Sequence, residues 1–258
     1  MSVTPKRRLG QHFLEDRNVL GVIERLSGLA SEDVVVEIGP GLGVLTTYLS
    51  DRVTHVHAIE LDRGLEARLG DAVGSRANVS LRFEDALAVD LTALSPDPTK
   101  LVSNLPYNVA TPIVVETLVG VPTLRAWCVM VQREVAERFF ASPGSKAYGA
   151  VSVLVRLHAR RTGFHPVART VFRPVPNVDS ALVAFERIAP PARPGEVRRV
   201  VVAAFAHRRK TLANSLLLAG LAPRDASVAA LETIGRPPAL RAEALEPDEF
   251  VALTEALL

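Results

Sequence analysis

The sequence predicts an α/β fold: a doubly wound parallel sheet carrying a small helical domain at its C-terminal end. Three observations predict it. Five short apolar runs between residues 34 and 131 alternate with segments of helical character, and strands separated by helices pair in parallel. A glycine cluster, Gly39-Pro-Gly-Leu-Gly43, stands between the first run and a helical stretch, the position of a ligand-binding turn on such a sheet. Beyond Ala189-Pro-Pro-Ala-Arg-Pro-Gly195, a linker by composition, the pattern is purely helical. The expected division is therefore residues 1–188 as one domain and 196–258 as the other.

Taken in order, Gly21 to Leu29 carries apolar residues at helical spacing, and Val34-Val-Val-Glu-Ile38 is the first strand. The glycine turn follows, then Val44 to Leu49 as a helix. His55-Val-His-Ala-Ile59 is the second strand and ends in Glu60-Leu-Asp62; Val79 to Phe83 is the third and ends in Glu84-Asp85. Leu101 to Ser103 is the fourth and Ala126 to Val131 the fifth. Two later runs, Val167 to Val171 and Ala181 to Phe185, lie close enough to pair antiparallel at one edge. In the tail, Val197, Val200, Val201, Ala204 and Phe205 share a helix face, and Pro247 before Asp248 and Glu249 marks a last helix start.

Composition sets bounds. With 48% hydrophobic and 22% charged residues in 258, the chain can bury a sizeable core. The single cysteine, Cys128, lies in an apolar run, so no internal disulfide is possible and a core position is expected. The first residues lack an apolar signal core and no run reaches membrane-spanning length; a cytoplasmic protein without membrane contact is expected. The net charge of +2 hides an asymmetry. Between Arg138 and Lys210 there are 14 Lys and Arg against 3 acids, a balance of +11, which leaves −9 for the rest. A basic segment of this size suggests a polyanion-binding face.

The polar residues that matter stand at strand tips. Gly39, Gly41 and Gly43 allow a tight turn and a close ligand approach. Their spacing is G-x-G-x-G, interrupted by Pro40, and not that of the dinucleotide fingerprint. Glu60, at the second tip, can accept both hydroxyls of a ribose, and Asp85, at the third, can accept from an adenine amino group. Asn104 ends the fourth strand in Asn104-Leu105-Pro106-Tyr107. Pro106 has no N–H, so this loop is rich in acceptors and poor in donors, and Tyr107 adds a flat ring. Acceptors beside a stacking face suit the exocyclic amino group of a nucleobase. A ribose acceptor without a pyrophosphate fingerprint fits S-adenosylmethionine and fits NAD poorly. No metal site is expected.

These blocks resemble a family. Leu9-Gly-Gln-His-Phe-Leu14, Val36-Glu-Ile-Gly-Pro-Gly-Leu42, Ile59-Glu-Leu-Asp62, Glu84-Asp-Ala86, Asn104-Leu-Pro-Tyr-Asn108, Gln132-Arg-Glu-Val135, Ser145-Lys-Ala-Tyr-Gly149, Phe172-Arg-Pro-Val-Pro-Asn-Val-Asp-Ser180 and Phe205-Ala-His-Arg-Arg-Lys-Thr-Leu212 are similar, in order and over nearly the whole chain, to the KsgA-type small-subunit ribosomal RNA adenine N6,N6-dimethyltransferases. The resemblance implies a Rossmann-like sheet of the S-adenosylmethionine-dependent methyltransferase type. It implies cofactor contacts from His12, Leu14, Gly39, Glu60, Asp85 and Asn104, with Gly41 in the same turn. It also implies a target of two adjacent adenosines in 16S-type RNA, met on the assembling small ribosomal subunit by a monomeric enzyme. One position departs from the pattern: the family usually reads Gln-Asn-Phe where this chain has Gln11-His12-Phe13, and histidine is larger.

In the chemistry so implied, Asn104 and the Leu105 carbonyl accept the two N6–H bonds, so that the nitrogen can pyramidalise and its lone pair attack. A base drawn from its stack meets Tyr107 on one face and, by resemblance, Phe172 on the other. Arg208, Arg209 and Lys210 would grip RNA phosphates, as would Lys6, Arg7 and Arg8. Two alternatives share this fold: a large-subunit RNA adenine methyltransferase of the macrolide-resistance type, and a noncatalytic RNA-binding assembly factor.

Overall fold

A computed structural model describes residues 5–6 and 11–258. Its strands are β1 (Phe13–Leu14), β2 (Val34–Ile38), β3 (His55–Glu60), β4 (Val79–Phe83), β5 (Lys100–Asn104), β6 (Ala126–Gln132), β7 (Ala159–Val167), β8 (Phe172–Arg173) and β9 (Ser180–Arg187). Its helices are α1 (Asn18–Ser27), α2 (Val44–Ser50), α3 (Glu66–Val73), α4 (Ala110–Gly120), α5 (Arg133–Phe139), α6 (Ala150–His158), α7 (Pro194–Ala206), α8 (Leu212–Leu218), α9 (Arg224–Thr233) and α10 (Pro247–Leu257).

Seven strands form one sheet in the order β4-β3-β2-β5-β6-β9-β7. The pairs β4/β3, β3/β2, β2/β5 and β5/β6 are parallel, and β9 joins β6 antiparallel. The chain reverses its direction of progress between β2 and β5, which opens a crevice at the carboxyl ends of those strands. Parallel strands covered on both faces read as continuous apolar runs; β2 is buried at every residue, including Glu37. On one face, Val35, Val56, Val102, Met130 and Leu182 from five strands meet Leu20 and Ile23 of α1 and Leu45 and Leu49 of α2. Cys128 belongs to the same core, and burial pushes its thiol up to about 12. It is a packing residue.

The edge partner of β9 differs from the expectation. It is β7, which begins at Ala159, while residues 169–171 form a 3-10 turn. The reason lies in the sequence of an exposed edge. β7 carries Arg160, Arg161, His165 and Pro166, residues that discourage pairing with a further strand and that give no apolar run to read. Arg160 forms an ion pair with Glu186 of β9. A second small sheet pairs β1 with β8, Phe13 opposite Arg173 and Leu14 opposite Phe172.

The chain divides into two compact units: residues 1–136 with 160–187, and 137–159 with 188–258. The linker at 189–195 lies next to one of these boundaries, but the helical unit also takes in residues 137–159, which the sequence division assigned to the first domain. Packing inside that unit gives the reason. Tyr148 is fully buried, donates its hydroxyl to the Leu245 carbonyl at 2.6 Å, and sets its ring 6.0 Å from that of Phe205. Phe205 continues the cluster to Phe250 at 5.8 Å. No helix among the described residues is long and apolar enough to cross a membrane.

Candidate active site

The carboxyl ends of β2, β3 and β5 open into one pocket of ≈ 1130 Å³, its open mouth included. Gly39 and Gly41 leave β2 with φ of 73° and 58°, a region that side chains rarely adopt. The space is tight as well. A Cβ on Gly39 would stand 3.1 Å from the Pro106 ring, and one on Gly41 would stand 3.0 Å from the Phe13 ring. The turn is thus held between the loop after β5 and the N-terminal segment, its backbone bare toward the pocket.

Glu60 closes β3, nearly buried. One carboxylate oxygen accepts from the Gly41 N–H at 3.1 Å and the other from the Asp62 N–H at 2.8 Å. Burial pushes its carboxyl above the ordinary value against the pull of those two amides, and the charge of Asp62 adds to the rise. Each oxygen keeps a lone pair for a ligand hydroxyl. Asp85 lies past β4, exposed, with one oxygen accepting from the Leu87 N–H at 3.0 Å. Glu37 is a pocket residue that the sequence reading passed over. Burial, with the charge of Glu60 in support, raises its carboxyl to about 8, and its Oε2 is buried without a partner among the described residues. Its signal was an acid inside an otherwise apolar strand.

Asn104 ends β5. Its Nδ2 donates to the His12 carbonyl at 3.2 Å, which leaves the side-chain oxygen as the group offered to a ligand. Leu105 anchors the loop through its N–H to the Met130 carbonyl at 3.0 Å. The Pro106 carbonyl is taken by the Val109 N–H at 3.1 Å as α4 begins. The Tyr107 hydroxyl and the Ser180 hydroxyl lie 2.6 Å apart, fixing the phenol at its far end. The His12 imidazole stacks on the Tyr107 ring at 5.4 Å and 27°, and its Nδ1 lies 2.7 Å from the Pro174 carbonyl. A carbonyl only accepts, so Nδ1 carries the proton.

Of the residues expected at the cofactor, His12, Leu14, Gly39, Gly41, Glu60, Asp85 and Asn104 all line this pocket, and so do Leu105, Pro106 and Tyr107. Phe172 is not brought there. It is fully buried in the sheet core, paired through β8 with Leu14, and presents no free ring face. Lys6 was expected on RNA phosphate, but its ammonium meets the buried carboxylate of Asp62 at 2.5 Å. Arg7 and Arg8 lie outside the described residues. Arg208, Arg209 and Lys210 follow the end of α7 in a turn, not in a helix. Arg208 donates to the Tyr148 carbonyl at 2.9 Å and faces Glu243 at 3.6 Å; all three residues are exposed.

Asp62 and Gln11 were not foreseen. Asp62 accepts from Gln11 Nε2 at 2.9 Å and from the Gly64 N–H at 2.9 Å besides its pair with Lys6. Burial pushes its carboxyl up, yet these donors outweigh burial and hold it below the ordinary value.

A switch-point pocket with a bare glycine turn, a buried carboxylate at the second parallel tip and a neutral amide loop at the fourth defines a Rossmann-like methyltransferase. Solved structures share the fold: a dimethyladenosine transferase from Plasmodium falciparum superposes with a TM-score of 0.77 at 22% identity, over 94% of this chain and 96% of that one. The 23S rRNA methyltransferase ErmE gives a TM-score of 0.70 at 27% identity, over 95% and 99%. The family model described as ribosomal RNA adenine dimethylase matches residues 3–251. Curated relatives named ribosomal RNA small subunit methyltransferase A include one from Rubrobacter xylanophilus, 48% identical over 96% of this chain and 94% of its own length. Another, from Kineococcus radiotolerans, is 45% identical over 98% and 86%. The chain belongs to the ribosomal RNA adenine dimethylase family.

Proposed function

We propose that this enzyme transfers methyl groups from S-adenosylmethionine to N6 of two adjacent adenosines in small-subunit ribosomal RNA, on the assembling subunit, as a cytoplasmic monomer. The observation that carries the reading is the Asn104 amide, its nitrogen spent on the His12 carbonyl and its oxygen left for the pocket that Glu60 shares. The pocket fits the cofactor. Glu60, held by two backbone amides, would accept from the ribose hydroxyls, Asp85 would accept from the adenine amino group, and the turn at Gly41 is tight for a side chain. His12, Leu14 and Gly39 complete the wall. When bound, S-adenosylmethionine supplies a sulfonium methyl that is already a strong electrophile.

The protein's work is on the base. The adenine N6 lone pair is delocalised into the ring. With the Asn104 side-chain oxygen and the Leu105 carbonyl accepting its two hydrogens, the nitrogen pyramidalises and the lone pair becomes available, catalysis by oriented acceptors. No strong base is needed beforehand, because the amine becomes acidic once methylated. Tyr107, held by Ser180, gives the extruded base a flat face, an interaction that contributes roughly 1–3 kcal/mol per base. Of the three cations expected on RNA, Arg208 is engaged by Tyr148 and Glu243, which leaves Arg209 and Lys210 to meet phosphates.

A large-subunit target is the second reading, favoured by the likeness to ErmE. The curated relatives, more similar in sequence and named for the small subunit, favour the first. Nucleoside mass spectrometry of each ribosomal RNA, from cells with and without the protein, separates them: loss of dimethyladenosine from small-subunit RNA supports the proposal, and loss from large-subunit RNA alone overturns it.

A further inference from the structure

The side chain of Asp62 touches neither a foreseen cofactor contact nor the base loop, yet it is among the most heavily bonded carboxylates of the described residues. It sits two residues past the ribose acceptor, 6% exposed. Gln11 is fixed at both ends of its amide: Nε2 donates to Asp62 at 2.9 Å, and Oε1 accepts from the Lys6 N–H at 2.8 Å. The next residue, His12, meets the base loop in two ways. Its carbonyl accepts from Asn104 Nδ2 and its ring lies on Tyr107. A continuous chain of contacts therefore runs from the tip of β3 to the amide at the tip of β5.

We propose that Asp62 is a positioning residue for methyl transfer: by clamping Gln11 it fixes the His12 carbonyl, which in turn holds the Asn104 amide with its oxygen toward the base. The proposal rests on the role given to Asn104 above. An amide is symmetric in shape and can rotate by half a turn, and the inverted form would present a donor where N6 needs an acceptor. One carbonyl at the right place removes that choice. The anchor is a carboxylate because it faces donors only, the Gln11 amide, the Gly64 N–H and the Lys6 ammonium, whereas the backbone N–H of Asp62 serves Glu60 independently of the side chain. Substitution at position 62 thus leaves the Glu60 bond in place and acts on the orientation of Asn104.

The experiment compares Asp62→Ala, Gln11→Glu and the exchanged pair Gln11→Glu with Asp62→Asn. In parallel, the Asn104 side-chain amide resonances are followed by 15N NMR in the protein without cofactor, assigned by their loss in Asn104→Ala. Asp62→Ala and Gln11→Glu should each lower kcat by roughly 10- to 100-fold, the scale of a small misplacement of a reacting group. Both should shift the Asn104 amide signals. The exchanged pair restores one donor facing one carboxylate, now with the amide at position 62 and the acid at position 11, and should recover kcat and the signals together. Unchanged signals and kcat in Asp62→Ala, or an exchanged pair no better than Gln11→Glu, would overturn the relay. If Asn104→Ala itself turns over normally, the reading of Asn104 fails, and the relay's role in transfer fails with it. A silent Asp62→Ala beside an impaired Asn104→Ala refutes the relay alone.

Discussion

Asn104 Nδ2 donates to the His12 carbonyl at 3.2 Å, a bond between residues 92 apart in sequence. It decides which end of the amide faces the pocket. The catalytic proposal follows from that orientation, and so does the importance of the N-terminal segment, which would otherwise read as a mere wall.

Glu60 is the cofactor prediction. Both its oxygens are aimed by backbone amides, and hydrogen bonds to charged groups contribute roughly 1.5–3 kcal/mol each. Glu60→Ala should weaken S-adenosylmethionine binding by a few kcal/mol in calorimetry, with RNA binding nearly unchanged. Unaltered cofactor affinity would remove Glu60 from the site.

Glu37 makes stability depend on pH. Its carboxyl titrates near 8 in the folded protein against an ordinary 4.5. Between those values the folded state holds a proton that the unfolded chain has released, so stability falls as pH rises through the window. Each pK unit corresponds to about 1.4 kcal/mol, and each kcal/mol to roughly 2–4 °C for a protein near this size. Glu37→Gln stays neutral and should lose this slope. Its melting temperature should exceed the wild type's by several degrees at the alkaline end of the window and converge with it at the acid end. Parallel curves would show that Glu37 does not carry the dependence.

Arg187 has no carboxylate partner among its described contacts. Its guanidinium donates to the carbonyls of Leu124 and Leu118 at 2.7 Å each and of Val121 at 2.8 Å, and it lies 5.1 Å from the Trp127 ring centroid. It thereby closes the C-terminal end of α4, the helix that follows the base loop. Arg187→Met keeps much of the packing and loses the donors. Unsatisfied carbonyls cost roughly 1–3 kcal/mol each, so the melting temperature should drop by several degrees, and a drop of less than a degree would contradict the assignment.

The turn after α7 is the RNA prediction. Because Arg208 is engaged by Tyr148 and Glu243, Arg209→Glu with Lys210→Glu is the informative pair. RNA binding should weaken at low salt, and the slope of log affinity against log salt should fall by roughly 0.7–0.9 per lost phosphate contact. Cofactor affinity should stay the same. An unchanged slope would place recognition elsewhere.

The parallel centre of the sheet, β2, β3, β5 and β6, was legible because these strands are almost wholly buried and show as apolar runs, and the tips carrying Glu60 and Asn104 follow from the ends of those runs; β4, only partly buried at the edge, alternates apolar and polar residues before Asp85. The edge strand β7 was not legible. Its Arg160, Arg161 and Pro166 protect an edge, and the same property hides it from a search for apolar pattern. Phe172 shows the converse: an aromatic in a motif looks the same on paper whether it stacks on a ligand or fills a core, and its partners in the core come from distant strands. Gln11 and Asp62 are 51 residues apart, so no local spacing could reveal that they meet. The purely helical pattern beyond residue 195 also hides the turn at Arg208, since α7 ends at Ala206 with no breaking residue to mark the stop.

The central claim is that Asn104 presents its oxygen to adenine N6 of small-subunit RNA. The most direct measurement is N6,N6-dimethyladenosine formed on unmethylated small-subunit particles by purified wild-type protein and by Asn104→Ala, at saturating S-adenosylmethionine, quantified by nucleoside mass spectrometry. The wild type should produce the dimethylated base in small-subunit RNA, and the variant should be slower by roughly 10²-fold or more, the effect of removing one oriented hydrogen-bonding group. A variant that forms product at the wild-type rate, or a wild type that modifies only large-subunit RNA, would contradict the account.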